Sequence, residues 1–363
     1  ISSVLLINIE NVRKNYDFLK TKAPKSEIGV SIKANAYGLG FKTICKTLVN
    51  QGCKTFFVAT AAEALEAIKI KANLTVYVLN GISNKQSTIS LIKKGIRIVI
   101  NNYQQLIELI NISDKIKLKA GCAIHIDTGM NRLGISAEDT KEFVKLAKKN
   151  LNVSLIMSHL ACSENKASKI NYLQLSKFIT IKKKLENFSG LNFSLANSNG
   201  ILLGKKFHFN ICRPGGLIYG LSLNKIQDKG LKNVLSLQAK VIHIQSINKG
   251  EYVGYGAKYK AKKKSMIATL GIGYADGLPR SFSGKVYYKN YQFPIIGNIS
   301  MDLCTIDITN YKKLAIGNWV EIFGSSVSIE KFASKCATIS YEISSKIGSR
   351  VKKIYVDNFE EVH

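Results

Sequence analysis

The 363-residue sequence has few acidic side chains, few prolines and no long apolar run. Asp and Glu together number 24 against 53 Lys and Arg, and proline occurs only four times. No apolar stretch approaches the roughly 18 residues of a membrane-spanning helix, so we expect no membrane span. Apolar residues nevertheless make up 46% of the chain, which excludes global disorder and allows a large hydrophobic core.

The cysteines form no pattern that would indicate a disulfide framework or a zinc site. Their number, seven, is odd, they are scattered along the chain, and no C-x-x-C pair occurs. We therefore expect reduced thiols, no metal and a cytoplasmic location. The N-terminal residues also lack a basic-then-apolar signal segment.

The lysines and the arginines are distributed differently along the chain, and each distribution has its own interpretation. The net charge of +29 comes mostly from lysines spread along the whole chain, with one dense run between Lys258 and Lys264. This distribution is typical of a solvated surface, and we expect no nucleic-acid partner. Only six basic residues are arginine, and Arg132, Arg213 and Arg280 lie in Gly- or Pro-bearing segments. Arginine offers a planar fork of donors and a permanent charge, so these segments are candidate functional loops.

From about residue 26 to 220, short apolar runs alternate with helical periodicity. We predict eight buried strands: Ile28–Lys33, Thr55–Ala59, Leu74–Leu79, Arg97–Asn101, Cys122–Asp127, Val153–His159, Asn192–Ala196 and Phe209–Arg213. The helical stretches include Thr43–Gln51, Ala61–Lys71, Asn102–Ile110, Ala137–Lys149 and Lys169–Glu186. Eight strands with intervening crossovers predict a (β/α)8 barrel, and a doubly wound open sheet is the alternative.

After about residue 230 the pattern changes to strand-like runs separated by Gly and Asn turns. These runs are Leu235–Ile247, Ser265–Leu270, Lys285–Tyr291, Trp319–Phe323 and Arg350–Val356. They predict a mainly β domain. The expected division is a barrel domain over residues 1–232 and a β domain over residues 233–363.

Polar residues end five of the predicted barrel strands. In a (β/α)8 barrel the carboxyl ends of the strands form the active face. The polar residues at these five strand ends are Lys33, the segment from His125 to Arg132, His159, the segment from Asn197 to Gly200, and Arg213 with Gly215 and Gly216. The small residues after strands seven and eight indicate a phosphate site. A lysine facing a phosphate in a barrel is the arrangement that binds pyridoxal phosphate covalently.

The sequence resembles the alanine racemase family in six motifs that occur in family order and cover nearly the whole chain. The segment from Val30 to Gly40 resembles the family's cofactor-attachment segment, and the one from Asp127 to Gly134 resembles its second signature. The remaining motifs are Arg213–Gly216 with Tyr219 and Gly220, Gly254–Gly256, Gly273–Gly277 and Ser300–Asp302. The family's fold, a barrel followed by a β domain, agrees with the strand pattern.

The resemblance implies a role for each matching residue. Lys33 would attach pyridoxal 5′-phosphate, Tyr37, Ser198, Gly216 and Tyr341 would hold its phosphate, and Asn197 and Gly215 would complete that site. Arg213 would contact the pyridine nitrogen, and Arg132 the phenolic oxygen and the substrate. Lys33 and Tyr255 would be the two catalytic bases, with Tyr255 supplied by the partner in a homodimer and tuned by His159. Met301 and Tyr274 would contact the substrate.

Several positions depart from the family pattern. His125 stands where many members carry a carbamylated lysine that steadies the arginine, so we expect a neutral His125 or a bound anion beside Arg132. Leu39, Ser300, Asn298 and Lys353 also differ from the residues common at their positions. The two bases are retained.

The expected activity is interconversion of L- and D-alanine, which would supply D-alanine for peptidoglycan. Racemisation of another amino acid, such as serine or lysine, and β-elimination as a side activity remain open. A related decarboxylase would have an acidic residue in place of Arg213. A pyridoxal phosphate carrier would lack the β domain.

Overall fold

The computed structural model describes residues 1–222 and 230–359. The chain divides into two compact units. Among the described residues, one is formed by Arg13–Ile218 with Gly230, and the other by Ile1–Val12, residues 219–222 and residues 231–359. Residues 223–229, in the expected barrel domain, and 360–363, in the expected β domain, lie outside the described residues.

The secondary-structure elements are numbered along the chain. The strands are β1 (Ser3–Asn8), β2 (Glu27–Ile28), β3 (Val30–Ser31), β4 (Thr55–Val58), β5 (Thr75–Val78), β6 (Arg97–Ile100), β7 (Gly121–His125), β8 (Asn152–Met157), β9 (Asn192–Ser194), β10 (Ile211–Cys212), β11 (Leu235–Ile247), β12 (Tyr252–Val253), β13 (Tyr259–Lys260), β14 (Ser265–Leu270), β15 (Lys285–Tyr288), β16 (Tyr291–Ile296), β17 (Cys304–Asp307), β18 (Trp319–Phe323) and β19 (Lys352–Val356). The helices are α1 (Ile9–Lys22), α2 (Lys33–Tyr37), α3 (Phe41–Asn50), α4 (Ala61–Ile70), α5 (Lys85–Lys93), α6 (Tyr103–Ile116), α7 (Thr140–Asn150), α8 (Lys169–Lys184), α9 (Ser198–Leu202), α10 (Ile329–Lys335) and α11 (Ser340–Ser345).

The first unit is the predicted (β/α)8 barrel. Strands β3 to β9 form a parallel sheet in sequence order, and β10 pairs in parallel with β2. The barrel closes because the Arg213 N–H donates to the Ala196 carbonyl at 2.8 Å, beyond the end of β9. Seven of the predicted strands are confirmed at their positions, whereas Ile28–Lys33 is divided into β2 and β3, and Lys33 already begins α2. The doubly wound alternative is wrong because the sequential order closes on itself.

Local sequence explains why helices start where the barrel strands end. Thr60, Asn84 and Asn102 follow β4, β5 and β6, and each side chain accepts a hydrogen bond from a backbone N–H in the first turn of the next helix. The strands themselves are apolar and buried, and Phe57, Tyr77 and other inward side chains fill the barrel interior. The helical stretches named from the sequence did not include α1 or α5.

The second unit is mainly β, as predicted. Eight of its strands form a sheet in the order β14-β17-β16-β15-β18-β11-β1-β19, and β11 also pairs with β14, so that six of these strands close on themselves. The long strand β11 makes this closure possible because its first half pairs with β18 and its second half with β14. Strands β12 and β13 form a separate hairpin.

Two features of this unit differ from the sequence-based expectation. Strand β1 pairs with β11 and β19, so Ile1–Val12 belong to the β unit rather than to the barrel. The expected single strand Lys285–Tyr291 is wrong, because Tyr288 pairs with Tyr291 across a two-residue turn. In that turn Lys289 has a φ of 54°, a left-handed conformation that lysine seldom adopts. A lysine at this position therefore did not indicate a tight turn.

Among the helices of the described residues, none has the length and apolar character needed to cross a membrane.

Candidate functional site

Lys33 begins an unusual backbone turn at the carboxyl end of β3. The next four residues, Ala34, Asn35, Ala36 and Tyr37, have φ between 53° and 56°. Each non-glycine residue in this left-handed region costs roughly 1–2 kcal/mol relative to the right-handed form. Such conformations persist only where surrounding contacts impose them, and they cluster at functional sites.

The Lys33 amine lies in an environment that lowers its pKa. Partial burial disfavours the charged form, and the positive charge of Arg132 acts in the same direction. The Glu63 carboxylate opposes both effects without cancelling them. The pKa of Lys33 is therefore below that of a free lysine, so a larger fraction of the amine is neutral and able to attack a carbonyl group or accept a proton.

Asp127 organises the loop that carries Arg132. One carboxylate oxygen accepts hydrogen bonds from the N–H groups of Gly129 and Met130 at 2.8 and 2.9 Å, and the other accepts from Asn131 at 2.9 Å. Burial would raise the pKa of Asp127, but these three backbone bonds lower it. The aspartate in this motif is thus needed as an anion that gathers consecutive N–H groups.

Arg213 is a buried cation at the end of β10. Its guanidinium donates hydrogen bonds to the Ser194 hydroxyl and to the Ser158 carbonyl, and it stacks 5.8 Å from the centre of the Phe57 ring. Burial lowers the pKa of Arg213 to about 10, so the side chain stays charged at neutral pH. The guanidinium is fixed in position and can donate hydrogen bonds without releasing a proton.

His159 lies beside Arg213 and is neutral. Its Nδ1 is 3.4 Å from an Arg213 nitrogen, and since a guanidinium only donates, Nδ1 must accept. The proton of the neutral ring is then on Nε2. Burial lowers the pKa of His159 well below its ordinary value, and Arg213 and Arg132 lower it further. Gln174 holds the backbone by donating to the His159 carbonyl at 2.9 Å.

The residues expected around a phosphate come together at the ends of β9 and β10. The Ser198 hydroxyl oxygen accepts hydrogen bonds from the N–H groups of Gly215 and Leu217 at 2.9 and 3.3 Å. Asn197 caps α9 by accepting from the Gly200 N–H at 2.9 Å. A β-carbon on Gly215 would overlap the Tyr37 hydroxyl, so only glycine allows this close approach.

This group of side chains fits an anionic aromatic cofactor such as the one that the resemblance implies. It offers an amine of lowered pKa at Lys33, a buried cation at Arg213, and a glycine-lined cradle beside Tyr37 that any β-carbon on Gly215 would fill. Gly216 is buried and begins a short 3-10 turn in the same segment. Tyr341 lies on α11, in the other unit.

Tyr255 is one of the most exposed aromatic residues, with 74% of its surface accessible. It lies in a tight turn between Gly254 and Gly256, whose φ values are 73° and 72°. The Asn298 amide donates to the Tyr255 carbonyl at 2.8 Å and fixes this turn. Glycine suits both positions because φ is positive at each, and the ψ of −173° at Gly254 is accessible essentially only to glycine.

The motifs around Tyr274 and Met301 meet within the β unit. The Tyr274 N–H donates to the Ser300 carbonyl at 3.1 Å, and the Ala275 N–H donates to the Met301 carbonyl at 3.0 Å. Both Tyr274 and Met301 are exposed, at 43% and 53%. A ladder of backbone bonds therefore holds these two side chains next to each other at the surface.

Ion pairs brace the same surface. Arg350 pairs with Asp276 at 3.0 Å and with Asp302 at 2.7 Å, and Asp276 also accepts from the Gly273 N–H at 2.9 Å. The sequence analysis did not single out Arg350 or Asp276 for a role. Within residues 1–222 and 230–359, no cluster of His, Cys, Asp and Glu could hold a metal ion. The seven cysteines are free thiols.

Two further polar residues, Glu63 and Asn101, contact residues of this site and were not predicted from the sequence. Glu63 contacts the backbone next to Lys33, and Asn101 contacts His125. Glu63 does carry a local signal, because Thr60 and Glu63 have the spacing of a capping box. Asn101 carries none, since a strand-end asparagine has no partner until the barrel forms.

Comparison with known proteins identifies two matching family models. The model described as "Alanine racemase, N-terminal domain" matches residues 7–223, and "Alanine racemase, C-terminal domain" matches residues 234–355. A curated alanine racemase from Rickettsia akari (strain Hartford) is 38% identical over 360 residues, covering 97% of this chain and 99% of the relative. One from Rickettsia bellii (strain RML369-C) is 39% identical, covering 90% of this chain and 81% of the relative.

Solved structures agree with these matches. The alanine racemase from Bartonella henselae with covalently bound pyridoxal phosphate superimposes with a TM-score of 0.93 at 33% identity, covering 98% of this chain and all of that one (100%). The biosynthetic alanine racemase from Pseudomonas aeruginosa superimposes with a TM-score of 0.91 at 27% identity, covering 98% of this chain and 99% of that one.

Proposed function

Because the chain belongs to the alanine racemase family, we propose that it interconverts L- and D-alanine with Lys33 and Tyr255 as the two bases and pyridoxal 5′-phosphate as cofactor. The observation that carries this proposal is the environment of Lys33. Its amine is half-buried at the carboxyl end of a barrel strand, its pKa is lowered, and it belongs to the same barrel unit as Arg213.

The cofactor is held by residues from several strand ends. Lys33 would attach it, Arg213 would contact the ring nitrogen, and Arg132 would contact the phenolic oxygen. Tyr37, Asn197, Ser198, Gly215 and Gly216 would surround its phosphate, and the resemblance implies the same role for Tyr341. When bound, the cofactor delocalises the electron pair that remains after an amino acid loses its Cα proton.

Lys33 moves the proton on one face of the substrate Cα. Racemisation removes a proton from one face and returns one to the other, so two bases must flank a planar centre. With its amine free of the cofactor, Lys33 would take the Cα proton of D-alanine, and in the reverse direction it would return a proton to that face. The lowered pKa keeps part of the amine population neutral and able to accept that proton.

Tyr255 serves the opposite face and comes from the partner chain of a homodimer. Its 74% exposure in the single chain leaves the phenol available to a second copy. His159 tunes the phenol through its Nε2–H, which the contact between Nδ1 and Arg213 leaves free to donate. Tyr274 narrows the entrance for the substrate, and the Met301 backbone helps to hold its carboxylate.

Arg213 favours racemisation over related reactions. Because its pKa stays near 10, it does not transfer a proton to the ring nitrogen at neutral pH. The ring then withdraws electrons less strongly than beside a carboxylic acid, and transamination and similar side reactions are disfavoured. A decarboxylase of related fold would have a carboxylate at this position. The D-alanine formed would supply peptidoglycan synthesis in the cytoplasm.

Circular dichroism of the purified protein, incubated separately with L- and D-alanine, tests this function. Loss of optical signal from both isomers is expected, together with a visible band of lysine-bound cofactor that is absent in Lys33→Ala. A band without loss of signal would contradict alanine as substrate and direct the assay to serine, lysine and β-elimination. No band after cofactor addition would overturn the assignment of Lys33.

A further inference from the structure

The left-handed turn after Lys33 is held from outside by a carboxylate. The Ala34 N–H belongs to the peptide that directly follows Lys33, and it donates to Glu63 Oε1 at 2.7 Å. Other bonds of the turn are local, such as the one from the Phe41 N–H to the Asn35 side chain at 2.7 Å. Glu63 therefore links the Lys33 backbone to a second element, the N-terminus of α4.

The second carboxylate oxygen of Glu63 has a separate role. Glu63 Oε2 accepts from the N–H groups of Ala59 and Thr60 at 2.8 and 3.2 Å, and the Thr60 hydroxyl accepts from the Glu63 N–H at 3.3 Å. This reciprocal pair is a capping box, which needs only one acceptor oxygen from the glutamate. The contact with Ala34 is thus additional to helix capping, and the two contacts together require both carboxylate oxygens as acceptors.

We propose that Glu63 is a positioning residue for the Lys33 amine, fixing the peptide that follows Lys33 and placing a negative charge beside it. This inference rests on the proposed function of Lys33 as attachment point and base. A glutamine could satisfy the cap or the turn, but not both, because its NH2 group would face a backbone N–H. Proton transfer depends steeply on the placement of the base, so a small rotation of Lys33 slows the step that it performs.

The charge of Glu63 gives the proposal a second consequence. Burial and the positive charge of Arg132 lower the pKa of Lys33, and the negative charge of Glu63 raises it. His159 is neutral, so it adds no charge. Removing the carboxylate charge leaves the effects of burial and Arg132 unopposed. The pKa of Lys33 is then expected to fall further.

Three variants separate these roles from simple helix capping. Glu63→Gln removes the charge and one of the two acceptors. Thr60→Ala weakens the same capping box but retains the bond from the Ala34 N–H to Glu63. Glu66→Gln removes an exposed carboxylate from the same helix without touching the turn.

The first measurement needs no bound cofactor. Trace acetylation of the full chain across a pH series, read by mass spectrometry of the Lys33 peptide, gives the titration midpoint of the amine. We expect Glu63→Gln to lower this midpoint by roughly half a pH unit, and Thr60→Ala and Glu66→Gln to leave it unchanged. A midpoint equal to that of the original chain in Glu63→Gln, or an equal fall in Thr60→Ala, would overturn the charge role.

The second measurement uses the cofactor-loaded enzyme. In Glu63→Gln, kcat should fall roughly 10- to 100-fold, and the isotope effect with Cα-deuterated D-alanine should rise more than that with L-alanine. A general structural defect would change both isotope effects alike, and that outcome would overturn the positioning role. If Glu63→Gln does not fold, Glu63→Asp keeps the charge but is too short for Ala34, and it should raise the D-alanine isotope effect with little change in midpoint. A Glu63→Asp enzyme identical to the original would also overturn the positioning role.

The two proposals fail in different ways. If the original chain racemises neither isomer of alanine, the proposed function is wrong, whereas the midpoint of Lys33 in the cofactor-free chain still tests its coupling to Glu63. If the original chain racemises alanine and Glu63→Gln behaves like Thr60→Ala in both measurements, only the inference about Glu63 is wrong.

Discussion

His125 Nδ1 lies 2.9 Å from Asn101 Oδ1 inside the barrel. The Asn101 NH2 donates to the carbonyls of Leu79 and Val99 at 3.0 and 3.3 Å, which orients its oxygen toward the histidine. Nδ1 must therefore carry the proton of the neutral ring, and Nε2 is an acceptor. Burial lowers the pKa of His125 to about 4, and Arg213 and Arg132 contribute to that shift. A neutral imidazole is compatible with the neighbouring cations, where a protonated one would repel them.

The buried histidine makes stability depend on pH. The pKa of an unfolded histidine is about 6.5, and that of His125 in the fold is about 4, so the unfolded chain binds protons first as pH falls. Stability from this residue is complete above pH 6.5 and is lost as pH falls toward 4, by about 1 kcal/mol per pH unit. Urea unfolding between pH 7 and 4.5 measures this slope.

The control for that slope is His125→Gln. The free energy of unfolding of this variant should change less with pH between 7 and 4.5 than that of the original chain. The remaining slope comes from His159 and other groups. Equal slopes in the two proteins would contradict the assignment of a neutral His125.

Arg213 cannot be replaced by lysine without loss. Arg213→Lys retains a charge but not the fork that contacts Ser194, Ser158 and His159. Unpaired buried acceptors should destabilise the fold by roughly 1–3 kcal/mol in urea unfolding of the cofactor-free chain. Arg280→Lys is the control, since Arg280 is exposed, and it should change stability little.

Tyr255→Phe should slow removal of the Cα proton from L-alanine, which lies on the face of the substrate that Tyr255 is proposed to serve. Exchange of the Cα hydrogen of L-alanine in D2O, followed by NMR, is expected to fall by roughly 10²- to 10⁴-fold because the phenol is the general base on that face. The matched control is Tyr252→Phe, which changes an exposed tyrosine three positions earlier. Near-normal exchange of L-alanine by Tyr255→Phe would refute the role of Tyr255.

Gly215→Ala should disturb the phosphate cradle by steric overlap alone. Gly215 is not in the left-handed region, so the added methyl group strains no backbone angle, but it overlaps the Tyr37 hydroxyl. We expect a loss of roughly 1–3 kcal/mol in the stability of the cofactor-free chain. Tyr37→Phe in the same chain should recover part of this loss, and strict additivity of the two changes would argue against the overlap.

The positions of the barrel strands could be read from the sequence because they depend on local composition. Short apolar runs such as Thr55–Val58 are buried on both faces, and the residues that end them fall at the carboxyl edge of the sheet. The motifs around Lys33 and Arg213 then stand out, because these polar residues directly follow buried strands. The roles proposed for the individual site residues came from the family resemblance and stay predictions.

The tertiary structure determined those backbone conformations and strand pairings that the local sequence disfavours or does not specify. Ala34 and Ala36 are left-handed although alanine favours the right-handed helix, because contacts such as that between Glu63 and the Ala34 N–H impose the turn. Strand β1 joins the β unit because pairing partners are chosen by the assembled sheet and not by the apolar run itself. The sequence alone therefore determined the barrel and the β domain, whereas the folded chain determined the strain, the tautomers and the lowered pKa of Lys33, which arise only when distant residues meet.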